Sequence, residues 1–408
     1  MREPAEVGVP VSIVGSGVVS AVGSGLEPLL AALRNNASGL RVSEKFSSAR
    51  FQSNIVGAAP KTWWDWIPSN PGFKKAENPA WMLAAEALRQ ARSSAEKILA
   101  NISAARTGLI LSTTKANIAA LELISENLPC SEMARRHLRA DLLAKDLAVE
   151  FGAHGPVQTV SIACVSGLVA ISQAAKVIQR GDADAMFVVG VDCLSEFVVA
   201  GFTALKALDP LGCRPFDAAR AGLSPGEAGA AIVLVAENWA ADETLAPHDN
   251  QPRIRICGFG GSNDANHLTG PSRDGSGLAQ AIRTALSNAK LSPLEIDFIH
   301  AHGTGTPYND AMESLALKTV FGDTCPPVSG AKGMLGHTLG AAGVIETICC
   351  VLAMENNFLP GTPRLMSPAD GAPASLLCEP RFNVRLKNVL KLNTGFGGMN
   401  GALILSHE

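Results

Sequence analysis

The chain has 408 residues, 47% of them hydrophobic, which is enough apolar material for a large core and about two domains. Its 34 basic and 37 acidic side chains give a formal charge of −3 without a long block of one sign. That excludes an electrostatic footprint for nucleic acid and leaves room for a small acidic partner to dock locally. Nine scattered cysteines with no CxxC pair argue against a disulfide framework and for a reducing compartment, so the cytoplasm is the expected location.

The uncharged stretch from Val7 to Leu26 approaches bilayer length, but it is interrupted by Pro10 and five glycines. It reads as a strand, a turn and a helix start, and no membrane span is expected. Gly15 and Gly17 faintly resemble a dinucleotide fingerprint. The third glycine position holds Ser20, however, and RNNASGLR further on lacks the ribose-binding acid. A plain tight turn is the preferred reading, and a nicotinamide oxidoreductase rests on these glycines alone.

From Val157 to Val191 a β-branched stretch meets Cys164, followed by the amphipathic run LVAISQAAKVIQR, the turn GDAD and AMFVVGV. Strand, helix, turn and strand in that order predict parallel strands with helical crossovers, hence an α/β architecture. Cys164 closes the first strand where the helix opens, so the free N–H groups of the helix favour its thiolate, the nucleophilic form. The polar, proline-containing stretch Glu237 to Arg253 marks a boundary, dividing the chain into residues 1–250 and 251–408.

The second part repeats the layout. IDFIHAH precedes GTGTPYND and a helical AMESLALKTVFG, and PPVSGAKG leads into HTLGAAGVIETICCVLAMEN. His302 thus ends a strand and His337 opens a glycine-rich helix start, the positions where open α/β sheets bind ligands. Asp310 and Glu313 read as capping and solvating the next helix. His300, His302 and His337 together suggest a zinc site with three nitrogen ligands, but no HExxH helix or cysteine pair accompanies them. The stretch from Pro360 to Pro380, with five prolines, reads as a loop, and no repeat or low-complexity segment is present.

Taken together, VSIVGSGVVSAVGSG, SIACVSGLVAISQAAKVIQRGDADAMFVVG, RPFDAARAGLSPGEAGAAIVL, HLTGPSRDGSGLAQAIRTAL, HAHGTGTPYNDAMES, SGAKGMLGHTLGAAGVIE and GFGGMNGALIL resemble the elongating β-ketoacyl-acyl-carrier-protein synthases of the thiolase superfamily. The resemblance implies a thiolase-like α/β fold of two duplicated halves in a five-layered α-β-α-β-α sandwich. It implies Cys164 as nucleophile, His302 and His337 as catalytic histidines and Lys332 before the second of them. Glu346 matches the acid along the following helix, Thr304 and Thr306 the hydroxyls on the pantetheine arm, and Phe396 a gate. It also implies decarboxylative condensation of malonyl-acyl-carrier-protein with an acyl chain held on Cys164. No metal and no cofactor of its own are expected, since substrates ride on the 4′-phosphopantetheine of acyl carrier protein. A homodimer is implied, with a heterodimer with a ketosynthase-like subunit as the variant.

Chemistry asks for the same parts: a thiolate both attacks a thioester and leaves again, and two hydrogen-bond donors stabilise the oxyanion formed on decarboxylation. Chain initiators of the superfamily carry Cys, His and Asn, and degradative thiolases use a second cysteine, so His337 favours elongation. A non-condensing, chain-length-setting partner subunit is the alternative, and such subunits usually lack the nucleophile that this chain keeps. LSTTKANIAALE (Leu111 to Glu122), with Lys115, departs from the glycine-rich segment of housekeeping enzymes, and ALDPLGCRPFD is short. Both point to a specialised polyene, pigment or polyketide pathway.

Overall fold

Long apolar runs such as AMFVVGVD and AGAAIVLVA have no polar face, the pattern of strands covered on both sides. The computed structural model describes residues 9–47, 49–60, 77–241 and 253–407 and places both runs at full burial inside one large mixed sheet. Its main strands are β1 (Val11–Ser20), β2 (Thr107–Ser112), β3 (Val157–Val160), β4 (Ala185–Asp192), β5 (Ala228–Ala236), β6 (Ile254–Asn263), β7 (Phe298–His300), β8 (Val328–Ser329), β9 (Asn388–Gly395) and β10 (Met399–His407). The helices that matter here are α1 (Leu26–Arg34), α2 (Pro79–Ser94), α3 (Ala140–Glu150), α4 (Ser166–Gln179), α5 (Glu196–Ala204), α6 (Ser276–Ala289), α7 (Pro307–Phe321) and α8 (Ala342–Glu355).

The sheet is two copies of one design. The first half runs β1-β5-β4-β2-β3 and the second β6-β10-β9-β7-β8. In each, the first two pairings are antiparallel and the last two parallel. The parallel crossovers expected around Cys164 are therefore present, but they occupy only the outer part of each half. β1 and β6 join the halves through a short antiparallel ladder, Val11 opposite Ile256 to Ile13 opposite Ile254.

α4 packs on β2 and β4 of the first half and reaches β10 of the second, while α8 lies between β4, β5 and β9. These two form the central layer. α2 and α3 cover the first half-sheet outside, and α6, backed by α7, covers the second, which completes the five-layered α-β-α-β-α sandwich. The core is correspondingly apolar and continuous through the middle layer.

The opening stretch is strand β1 and then α1, as read from its sequence, with Val7 outside the described residues. Gly15 and Gly17 are a correction. They lie in mid-strand, where a Cβ would stand 2.5 Å from the Ala91 carbonyl oxygen and 2.1 Å from that of Ala87 on α2. Gly258 and Gly260 of β6 meet α6 in the same way, at 2.3 Å and 2.0 Å from the Ala285 and Ala281 oxygens. These glycines admit a close helix rather than a nucleotide or a turn. Residues 360–380 form no helix or strand, as expected, whereas the proposed boundary near residue 250 lies outside the described residues. No helix among the described residues is long and apolar enough to cross a membrane.

Candidate active site

Cys164 sits on a tight elbow between β3 and α4. Ala163 before it holds a left-handed φ of 44°, a conformation that costs an alanine about 1 to 2 kcal/mol and is retained by its surroundings. Ser166 supplies part of that constraint: its hydroxyl accepts from the Ile162 N–H at 2.7 Å and donates to the Ala163 carbonyl at 2.6 Å. The elbow sets the sulfur two residues before the start of α4.

His302 follows β7, and its loop is clasped from α7. The His302 and Gly303 N–H groups donate to Glu313 at 2.5 and 2.8 Å, and Asp310 accepts from the N–H groups of Thr304 and Phe216 at 3.0 and 2.7 Å. Both acids are buried rather than solvating the helix, which corrects the sequence reading. Burial raises both, Glu313 to about 7. His337 is pinned to the chain before β5: its N–H donates to the Ser224 carbonyl at 2.7 Å, and its carbonyl accepts from the Gly226 N–H at 2.9 Å.

Three segments far apart in sequence thereby converge. His337 Nε2 lies 3.0 Å from Cys164 Sγ, and the His302 and His337 rings meet edge to face with centroids 5.2 Å apart. Hydrogen bonding fixes both tautomers. Lys332 Nζ, which has only donors, stands 3.0 Å from His302 Nδ1, and the Asn393 amide nitrogen stands 2.9 Å from the same atom. The Leu339 N–H donates to His337 Nδ1 at 3.3 Å. In each ring Nδ1 is the acceptor, so the proton resides on Nε2. Burial first, and then the Lys332 charge, drives both imidazoles well below their usual pKa, so they are neutral donors.

Burial also pushes the Cys164 thiol up to about 11, with Lys332 and half-buried Lys115 pulling the other way. The thiolate expected from the helix terminus alone is thus not the resting form. The sulfur and the two histidines form a compact buried cluster with ligand atoms within 4.8 Å, but His300 is not part of it and turns Nδ1 toward the Ala301 carbonyl. The zinc reading through His300, His302 and His337 fails on this geometry. A metal on the three convergent groups would also face protonated Nε2 atoms.

Lys332 and Glu346 are together, as the sequence suggested, 2.6 Å apart and buried. Two partners escaped sequence reasoning. Lys391, fully buried in β9, pairs with the second Glu346 oxygen at 2.9 Å, and Asn393 donates to that oxygen at 3.2 Å. A lysine inside the apolar strand NVLKLNTG was the available signal, since an unpaired charge does not survive there. Against the penalty of burial, Lys332 and Lys391 hold the Glu346 carboxyl down to about 2.

The cluster lies at the inner end of a cavity of about 440 Å³ lined by Thr304, Thr306, Asn309, Leu223, Phe202 and Phe396, among others. Thr304 and Thr306 share a hydroxyl hydrogen bond of 2.8 Å on its wall. Phe396 stands partly exposed near Phe202, with ring centroids 6.1 Å apart. The eight side chains that the family resemblance implied therefore lie in the cavity wall or directly behind it.

Comparison with known proteins identifies the family. Residues 9–240 match the family model for the beta-ketoacyl synthase N-terminal domain, and residues 254–366 match that for the C-terminal domain. A 3-oxoacyl-[acyl-carrier-protein] synthase 2 from Coxiella burnetii is 31% identical over 97% of this chain and 98% of its own length. The crystal structure of a beta-ketoacyl synthase from Burkholderia phymatum superposes with a TM-score of 0.86 at 29% identity, covering 98% of this chain and 100% of that one. The ishigamide ketosynthase/chain length factor matches with a TM-score of 0.87 at 29% identity over 98% and 99% of the two chains. With both family models matched along most of its length and a relative 31% identical end to end, this chain is a member of the beta-ketoacyl synthase family.

Proposed function

We propose that the chain is an elongating β-ketoacyl synthase that condenses malonyl-acyl-carrier-protein with an acyl chain carried on Cys164. The observation carrying this reading is the meeting of Cys164 Sγ with the donor edges of His302 and His337 at the inner end of one cavity. In the first half-reaction the sulfur attacks the acyl thioester, the carrier thiolate leaves, and the cysteine proton ends on that thiol. The backbone N–H groups of Cys164 and Phe396 are the donors for the oxyanion, and Gly395 between them lacks a Cβ, which would stand 3.2 Å from the Cys164 nitrogen.

In the second half-reaction malonyl-carrier-protein enters with its arm along Thr304 and Thr306, and Lys206, exposed at the rim, suits the phosphate. Loss of carbon dioxide puts negative charge on the thioester oxygen, which the two Nε2–H groups receive. The enolate carbon then bonds to the acyl carbonyl, the carbon–sulfur bond to Cys164 breaks, and the departing thiolate takes up a proton from solvent to return to the resting thiol. The protein needs no cofactor of its own for this chemistry. Lys332, Glu346 and the gate Phe396 serve it by holding His302 and controlling entry.

The open edge of β3 suits pairing with a second subunit, and a homodimer is our reading. A heterodimer with a ketosynthase-like subunit is the variant suggested by the ketosynthase/chain length factor relative. Lys115 and the short loop before Phe216 favour a specialised cytoplasmic pathway over housekeeping fatty-acid synthesis. The test is to incubate the protein with acyl-carrier-protein thioesters and map the adduct by mass spectrometry. Acylation confined to Cys164 and lost in Cys164→Ala is expected, and equal loading of both proteins overturns the mechanism.

A further inference from the structure

We propose that Lys391 is a positioning residue for the decarboxylation step: by gripping the second oxygen of Glu346 it fixes Lys332 against His302 and places a second positive charge behind the oxyanion site. The inference rests on the condensing reading above and adds a residue to it.

Geometry sets out the chain of contacts. The three ammonium donors of Lys332 are all committed, to Glu346 Oε1 at 2.6 Å, to the His302 carbonyl at 2.6 Å and to His302 Nδ1 at 3.0 Å. Its position therefore follows that of Glu346. Glu346 sits on the central helix α8 and has its other oxygen held by Lys391 at 2.9 Å and by the Asn393 amide at 3.2 Å. Lys391 is itself fixed in β9, opposite His300 of β7, and also donates to the Leu392 carbonyl. One carboxylate thus lies between two buried ammonium groups, so the trio of Lys332, Glu346 and Lys391 carries one net positive charge on the Nδ1 side of His302, while Glu313 holds the backbone N–H of the same residue.

That arrangement has two consequences. A net cation next to Nδ1 opposes protonation of the ring, so His302 stays a neutral Nε2–H donor. The same charge favours the enolate oxyanion on the far side of the ring. The charged and titratable groups that interact with Lys391 are Glu346, Cys349 and Cys350 from α8, His300 and His302 from β7 and its loop, Glu313 from α7, His337 and Lys332. Of these, only Glu346 forms an ion pair with Lys391 among the described residues.

The test compares wild type, Lys391→Met, Lys391→Gln and Lys391→Arg for carbon dioxide release from malonyl-carrier-protein across pH 5 to 9, with Cys164 acylation followed in the same samples. Lys391→Met is expected to lower the decarboxylation kcat about 10- to 100-fold with KM within about twofold and acylation unchanged. Its acid limb should move to higher pH as His302 becomes easier to protonate. Lys391→Gln, which keeps a donor to Glu346 but no charge, should show the same displaced limb, and Lys391→Arg should return both kcat and limb toward wild type. Wild-type rates and limb in Lys391→Gln overturn the proposal, as does equal loss of acylation and decarboxylation in every variant. Should wild type itself release no carbon dioxide, the condensing reading fails instead.

Discussion

Gly167 and Gly343 touch backbone to backbone: a Cβ on Gly167 would stand 2.7 Å from the Gly343 Cα, and one on Gly343 would stand 2.4 Å from the Leu168 nitrogen. The contact joins the first turns of α4 and α8, the helices of the central layer, one contributed by each half. Cys164 stands just before α4 and His337 just before α8, so this approach sets the 3.0 Å between their reactive atoms.

Any side chain at either glycine must push the two helices apart. Gly343→Val is expected to cost about 1 to 3 kcal/mol through overpacking and to slow Cys164 acylation and decarboxylation together. Gly201→Ala is the control, because a Cβ there meets nothing within 4 Å and the residue lies in helix α5. Melting temperature and acylation rate, measured side by side, check the pair. Wild-type behaviour of Gly343→Val would mean that the glycine contact does not set the site.

The histidines divide the reaction differently from the cysteine. Removing one preorganised donor to an oxyanion typically costs about 10² to 10³ in rate. His302→Ala and His337→Ala are each expected to lose that much in carbon dioxide release while the protein still becomes acylated on Cys164. His302→Gln should recover part of the loss, since an amide can place an N–H near the former Nε2. Decarboxylation at the wild-type rate in both alanine variants removes the histidines from the mechanism.

How much of this was legible beforehand follows from which forces act locally. The elbow at Cys164, the strand end near His302 and the helix start near His337 are written in β-branched runs, glycines and amphipathic spacing, and the structure puts each residue in the loop beside the expected element, with β3 ending at Val160, β7 at His300 and α8 beginning at Ala342. What sequence missed was decided by packing between segments. Gly15 and Gly17 looked like a turn because nothing local announces that α2 will cross β1 at that point. Asp310 and Glu313 looked like solvated caps because the loop they clasp folds back from another strand. The resting thiol at Cys164 likewise reflects burial, which a helix terminus read in isolation does not reveal.

Acid stability is a consequence of the buried imidazoles. His300 is fully enclosed, and burial drives its pKa to about 3. A base whose folded pKa lies below the unfolded value near 6.5 stays neutral in the native protein while the unfolded chain takes up a proton. Stability is then complete above pH about 6.5 and falls as the pH drops toward 3. His302, His337 and His137 shift in the same direction, and each imidazole kept neutral in the native protein contributes at most about 1.4 kcal/mol per pH unit. Glu313 and Glu355, both raised to about 7 by burial, work in the opposite sense between their unfolded values and that pH and offset part of the loss. His300→Gln should flatten the loss by about 1.4 kcal/mol per pH unit. Denaturant titrations at pH 5, 5.5 and 6 check this, and parallel curves for the two proteins would contradict it.

The gate can be separated from the wall by choosing where freedom is removed. Gly397 and Gly398 after Phe396 hold φ of 82° and 74°, a left-handed conformation in which an L side chain is strained. At Gly397 a Cβ meets nothing within 4 Å, so Gly397→Ala changes backbone freedom without touching a neighbour. It is expected to cost about 1 kcal/mol and to slow acylation by long-chain thioesters more than by short ones, because the longer chain needs Phe396 to move farther from Phe202. Phe396→Ala should do the reverse, loading long chains at least as fast as wild type while losing discrimination between lengths. Competition between short and long acyl-carrier-protein thioesters, read as the ratio of adducts on Cys164, measures both. If the ratio is the same in wild type and both variants, Phe396 is wall and not gate.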